Sequence, residues 1–172
     1  MPAILSVFLL CLLVAQPLHA DPVIAEQHMT EPKLVGKARL KVMFWRVFDA
    51  ELYAPEGSFR ADRPYALSLS YLREIESADI VSKSMAEIKR QGRHDRNQLA
   101  NWRTKLSQII PDVDRRTTIT GVRDEQERTR FYRNGAPIGE IDDPVFTRAF
   151  FDIWLGKDTS EPEFRKKLLR LI

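Results

Sequence analysis

At 172 residues the chain is long enough for one domain with a full apolar core, and 44% apolar with 30% charged residues excludes a disordered or fibrous protein. The net charge of +3 is small. The arginines between Arg93 and Arg133 are interleaved with Asp95, Asp112, Asp114, Asp124, Glu125 and Glu127, so no basic stripe forms and nucleic acid is excluded as a partner.

Residues 1–20 read as a signal peptide. Ala3 to Ala15 is apolar, Pro17 breaks the run, and Leu18-His19-Ala20 offers small-residue cleavage chemistry before Asp21. The run is shorter than the roughly 20 residues a spanning helix needs, so the membrane is expected as a partner only through this segment. Export, to a bacterial periplasm, is the expected destination. The single cysteine, Cys11, lies inside the segment, so the mature chain carries no disulfide, thiol nucleophile or thiolate metal site.

Residues 21–33 are polar, bounded by proline and without period, and are expected to form an irregular leader. A domain over 34–172 follows. Leu34 to Phe44 and Trp45 to Tyr53 read as two strands, and Tyr65 to Leu72 as a third with clean alternation, Tyr65, Leu67, Leu69 and Tyr71 sharing one face. Two helices come next, one opened by Ser77 and closed at Gly92, the other opened by Asp95 or Asn97 and closed before Pro111. Their Met85 and Trp102 stripes read as core packing. Thr117 to Val122 and Arg128 to Tyr132 are short strands. Asn134-Gly135 predicts a type I′ turn, because both central residues must take positive φ. Asp142 or Asp143 then caps a helix with Pro144 at its first position, Phe146, Ala149, Phe150, Ile153 and Trp154 line its inner face, and Gly156 is expected as a left-handed stop. Ser160 and Glu163 read as the capping box of a last helix. Strands in runs followed by helices in runs predict an α+β fold, with an antiparallel sheet and helices layered on one face.

Gly36-Lys37-Ala38-Arg39 leading to Leu52-Tyr53, then Phe131-Tyr132-Arg133-Asn134-Gly135, Ile138-Gly139, Phe146, Phe150, Ile153-Trp154-Leu155-Gly156 and Thr159-Ser160-Glu161-Pro162, resemble the chalcone isomerase superfamily, and within it the bacterial exported chalcone isomerase-like proteins. The resemblance covers about Leu34 to the C-terminus. It implies an open-faced β-sandwich with the ligand cleft between the sheet and the helical layer. It also implies roles: Arg39 matches the arginine that holds the anionic oxygen in the isomerases, and Arg39 with Tyr53 matches the pair that takes a carboxylate in the fatty-acid-binding relatives. Phe48 stands where the isomerases carry a catalytic threonine, and Glu74 to Ile80 lacks their tyrosine.

Arg39 and Tyr53 are therefore the candidate ligand-binding residues, with no catalytic residue assigned. The expected function is non-catalytic binding of a small amphipathic anion, fatty-acid-like, in that cleft. Two alternatives stand beside it, an intramolecular lyase or isomerase of chalcone isomerase type and a structural or partner-binding protein with a closed cleft. The residues alone also allow Arg39 to be a strand residue paired with Glu51, and Thr159 and Ser160 to be capping groups. His28 and His94, far apart and without a carboxylate at ligand spacing, read as surface residues, and neither a metal nor a cofactor is expected.

Overall fold

A computed structural model of the chain describes residues 22–92 and 94–172; the expected signal segment at residues 1–20 lies outside the described residues. Six strands pair in chain order into one antiparallel sheet: β1 Pro32–Val42, β2 Trp45–Pro55, β3 Tyr65–Tyr71, β4 Thr118–Arg123, β5 Thr129–Arg133 and β6 Ala136–Ile141. Five helices complete the described residues: α1 Pro22–His28, α2 Ser77–Arg90, α3 Arg96–Ile109, α4 Pro144–Leu155 and α5 Pro162–Leu168. This is the expected α+β, open-faced arrangement.

Side chains alternate across each strand, so every strand contributes to two surfaces. On one surface Ala38, Phe48, Ala50, Leu52, Leu67, Leu69, Ile119 and Phe131 meet the buried stripes of α2, α3, α4 and α5 in a single core. Phe150 of α4 sits at its centre, 5.5 Å from the ring of Phe146 and 5.3 Å from those of Phe131 and Trp154. Aromatic pairs of this kind add about 0.5–1.5 kcal/mol each beyond the area they bury. Trp102 of α3, fully buried, donates its indole N–H to Asp143 at 2.8 Å, and Asp143 also accepts from the backbone N–H groups of Val145 and Phe146. The cap of α4 is thus fixed to α3 as well.

The second surface is mostly uncovered. Hydroxyl pairs Ser68–Thr120 at 2.9 Å and Ser70–Thr118 at 3.0 Å run across β3 and β4. At one end α1 lays Ile24 and Ala25, with Met29 just beyond it, on Ala66, Val122 and Tyr132. The leader was expected to be irregular, and this helix corrects that expectation. Seven residues are too short for a 3.6-residue period to register, yet two buried apolar side chains are enough to dock them. His28 closes the contact with a 2.5 Å hydrogen bond to the Tyr132 hydroxyl, and His94 packs edge-on against Trp102, so neither is a plain surface residue.

Several local expectations change in the same way. The N-cap of α2 is Glu76; Ser77 instead donates its hydroxyl to the Ile110 carbonyl at 2.5 Å. Gly156 has φ −68°, so it is not a left-handed stop; a Cβ there would lie 2.7 Å from the Asp152 carbonyl oxygen, which is why glycine fits. Glu161, not Ser160, is the N-cap of α5, and no side chain caps it. The turn at Asn134 and Gly135 has φ of +48° and +85°, as the type I′ reading requires.

Gly36 of β1 lets α5 approach closely, because a Cβ there would lie 2.5 Å from the carbonyl oxygens of Lys167 and Leu168. Gly36→Ala is expected to cost about 1–3 kcal/mol, the usual range for overpacking. The check is the urea midpoint; a midpoint equal to that of the unaltered chain would mean that α5 is not held against β1.

Candidate functional site

The helical layer does not close completely over the sheet. Between them lies a cleft of about 380 Å³. Its floor is Leu40, Phe48, Leu69 and Ile119 from β1 to β4, and its roof is Ile80 of α2 with Phe150, Ile153 and Trp154 of α4. Phe48, the residue in place of the isomerase threonine, is 5% exposed and packs edge-on against Tyr71 and Phe164. It therefore contributes ring surface and no proton-handling group.

Tyr71 also lines the cleft, and burial pushes its phenol well above the ordinary tyrosine range, so it stays a protonated donor at any physiological pH. Its hydroxyl makes no hydrogen bond to any described residue. Such a group, held in apolar surroundings, favours an occupant that can accept a hydrogen bond.

Charge collects at the rim, where Asp79, Lys83, Ser84, Glu87, Ser160 and Glu161 border the opening. Lys83 and Glu87, four apart on α2, form an ion pair at 3.2 Å, and Arg90 adds a second at 2.9 Å. Burial raises the Glu87 carboxyl, but hydrogen bonds from Arg90, Lys83 and Ser160 together outweigh it and hold the group below the usual glutamate range. Because Arg90 and Ser160 remain with Glu87, Lys83 is free to turn to another anion. Its side chain is 77% exposed, against 10% for Glu87.

Arg39 and Tyr53 lie elsewhere. Neither lines the cleft; both lie on the sheet surface away from α2, α3 and α4, Tyr53 beside the α1 cluster and Arg39 at the β1 edge, where it borders a separate depression with Phe164 and Lys167 of α5. Arg39 faces Asp49 across the β1–β2 pair and holds it through both carboxylate oxygens, at 2.5 and 2.7 Å. Glu51, expected opposite Arg39, is taken instead by Lys37 and by the Tyr53 hydroxyl, which donates at 2.7 Å. The cleft role drawn for both residues from the resemblance is corrected by strand alternation: Ala38 and Leu40 point to the helices, so Arg39 between them points away. Thr159 is a capping group, as read, donating to the Ile153 carbonyl at 2.6 Å, while Ser160 belongs to the rim. Among the described residues no three His, Asp or Glu side chains gather as metal ligands.

Tyr71 and Lys83 were missed by the sequence reading. A signal for Tyr71 existed, since the alternation of Tyr65 to Leu72 already placed it beside Leu67 and Leu69. For Lys83 only its spacing from Glu87 was visible, and that spacing describes a solvated helix pair equally well.

A family profile described as chalcone isomerase-like matches residues 24–170. No curated protein matches the chain. Among solved structures, the crystal structure of an Arabidopsis thaliana fatty-acid binding protein is similar, with a TM-score of 0.64 at 13% identity over 82% of this chain and 88% of that one. At that identity the likeness concerns the fold.

Two outcomes follow from the site's electrostatics. The depressed Glu87 carboxyl contributes stability that is present above its unfolded pKa and is lost as pH falls through the lower folded value. Glu87→Gln should therefore unfold at lower urea than the unaltered chain at pH 7, with the gap closing below about pH 4; a gap that does not change with pH would refute the ion-pair account. Arg39→Ala, which removes only a surface pair, should leave the urea midpoint unchanged.

Proposed function

The chain belongs to the chalcone isomerase-like family, and from that premise we propose that it is a non-catalytic binding protein for a small amphipathic anion of the fatty-acid type, exported to the bacterial periplasm. The cleft carries the reading. Its volume of about 380 Å³ lies within the range of about 300–1,000 Å³ common to small-molecule sites. It has an apolar floor and roof for an acyl chain, one buried donor in Tyr71, and one exposed cation in Lys83 at the mouth. A carboxylate placed between the two would gain a charge-assisted bond in surroundings poor in water. The similarly folded Arabidopsis protein is a fatty-acid binding protein, which agrees with an acyl occupant. Export rests on the apolar run of residues 3–15 and the Leu18-His19-Ala20 sequence that follows it.

The isomerase alternative needs a hydroxyl where Phe48 lies. Phe48 instead fills the floor of the cleft and leaves the developing enolate of such a reaction without a hydroxyl at that position. The anchor is thus assigned to Lys83 and Tyr71 in place of Arg39 and Tyr53.

Titration of the full chain with the fluorescent fatty acid cis-parinaric acid, followed by displacement with palmitate, tests the assignment. Lys83→Glu should weaken binding about tenfold, equivalent to ~1.4 kcal/mol, and Ile119→Trp, which fills the floor, should abolish it. Arg39→Ala should bind as the unaltered chain does. Circular dichroism confirms that each variant is folded, and Ser84→Leu offers a second way to fill the cleft. Undiminished binding in a folded, filled variant would overturn the reading, as would loss of binding in Arg39→Ala alone.

A further inference from the structure

The turn that joins β1 to β2 is built from residues that do not suit a turn. Met43 has φ +54°, a left-handed conformation that glycine or asparagine takes with least strain. Of the six non-glycine residues with positive φ among the described residues, Met43 is the one apolar member; the others are Glu31, Glu56, Glu127, Asn134 and Arg170. Around it Val42, Met43, Phe44 and Trp45 are 50, 84, 94 and 63% exposed, which makes them a contiguous apolar tip at the end of a hairpin. A tip of this kind costs solubility and is retained where something covers it.

The surrounding charge indicates what covers it. Lys41 and Arg46 are opposite one another immediately behind the tip, and the Arg73 guanidinium lies 5.1 Å from the centre of the Trp45 ring. None of these three cations is paired with a carboxylate of the described residues, unlike Lys37 and Arg39 farther along β1. Glu74 and Glu76 follow Arg73 on the way into α2, and with Asp79, Asp112 and Asp114 they line a depression beside Val42, Val47 and Arg73, so the acidic groups gather on the α2 side and the cations Lys41 and Arg46 lie on the hairpin itself. A convex apolar tip, a tryptophan at its base and a collar of cations is the arrangement that suits a bilayer interface: apolar side chains enter the acyl layer, the indole sits at headgroup depth, and the cations meet phosphate.

We propose that the β1–β2 hairpin tip docks on an anionic phospholipid bilayer, with Met43 and Phe44 inserted and Lys41, Arg46 and Arg73 on the headgroups. The membrane was expected as a partner only through residues 1–20, and this contact is separate from that segment. Val42 and Val47, at the base of the tip, also line the cleft, so docking would bring that wall of the cleft to the lipid surface. That consequence rests on the cleft reading; docking itself does not.

Quenching of tryptophan emission by vesicles containing brominated phosphatidylglycerol tests the proposal with the full chain and no fatty acid present. Of the three tryptophans Trp45 is exposed, Trp102 fully buried and Trp154 half-buried in the cleft roof, and a contact made through residues 1–20 alone would leave the quenching unchanged in Phe44→Asp. Strong quenching is expected in the unaltered chain, falling at least about fivefold in Phe44→Asp and again in Trp45→Phe, and weakening with added salt. These positions are exposed, so the variants retain the fold, which circular dichroism verifies. Equal quenching in the unaltered chain and Phe44→Asp, or equal quenching with brominated phosphatidylcholine alone, would overturn the proposal. So would a change in oligomeric state on Phe44→Asp without any lipid effect, since the tip would then be covered by a second copy of the chain. Failure of parinaric acid binding leaves this result untouched, and the converse also holds.

Discussion

Leu40 faces Phe48 and Arg39 faces Asp49 across β1 and β2, and the assignment of functional groups depends on this register. Side chains alternate with a period of two, so a slip of one residue would send the whole strand to the opposite surface. The register is held by its apolar members: Ala38, Phe48, Ala50 and Leu52 are buried under the helices, and exchanging them for Arg39, Asp49, Glu51 and Tyr53 would bury four polar groups. Irregularities between Leu34 and Gly36 and between Leu40 and Lys41 keep Val35 and Val47 on the core side despite the break in alternation. The uncovered surface is left with neutralised pairs, Lys37 with Glu51 and Arg39 with Asp49.

The helical layer explains why a cleft survives in a well-packed core. α3 and α4 are fastened together by Trp102 with Asp143 and Phe146, and α4 is fastened to the sheet by the ring contacts of Phe150 with Phe131 and of Phe151 with Tyr65. α5 is held against β1 at Gly36. Where α2 and α4 meet the rim, Glu87 with Lys83, Arg90 and Ser160 sets a hydrophilic border that does not close inward. A carboxylate supplied with several donors stays charged and therefore stays at the water boundary.

Much of the fold was legible because its signals are local. The Asn134-Gly135 turn, the Asp143 cap with Pro144, and the spacing of Phe146, Phe150 and Ile153 each depend on residues a few positions apart. What failed depended on partners distant in sequence. Ser77 looks like a cap until Ile110 takes its hydroxyl, Ser160 until Glu87 does, and α1 shows no period because its stability comes from Ala66, Val122 and Tyr132. The site was harder still. The resemblance supplied residue types but not their facing, and the face of Arg39 follows only once Ala38 and Leu40 are known to be covered. The phenol that does line the cleft, Tyr71, lies three residues before Glu74 to Ile80, where the resemblance implies one.

β1 and β2 are each 11 residues long while β3 has seven, so the first hairpin overshoots its neighbour. The last bond β2 receives from that side is the Leu72 N–H on the Val47 carbonyl. Beyond it, Trp45 and Arg46 pair with Val42 and Lys41 alone, and an isolated two-stranded segment gains little stability in water. A hairpin selected only for sheet stability would have turned earlier, with glycine or asparagine in place of Met43. The overshoot adds strain and exposes apolar surface, yet the sheet gains no strand contact from it. Its one structural consequence is to carry Phe44 past the body of the protein while Val42 and Val47 remain in the wall of the cleft. On the reading proposed above, a cleft whose wall continues into an apolar projection offers a water-averse ligand a path that does not cross solvent, and the extra length of β1 and β2 then makes physical sense.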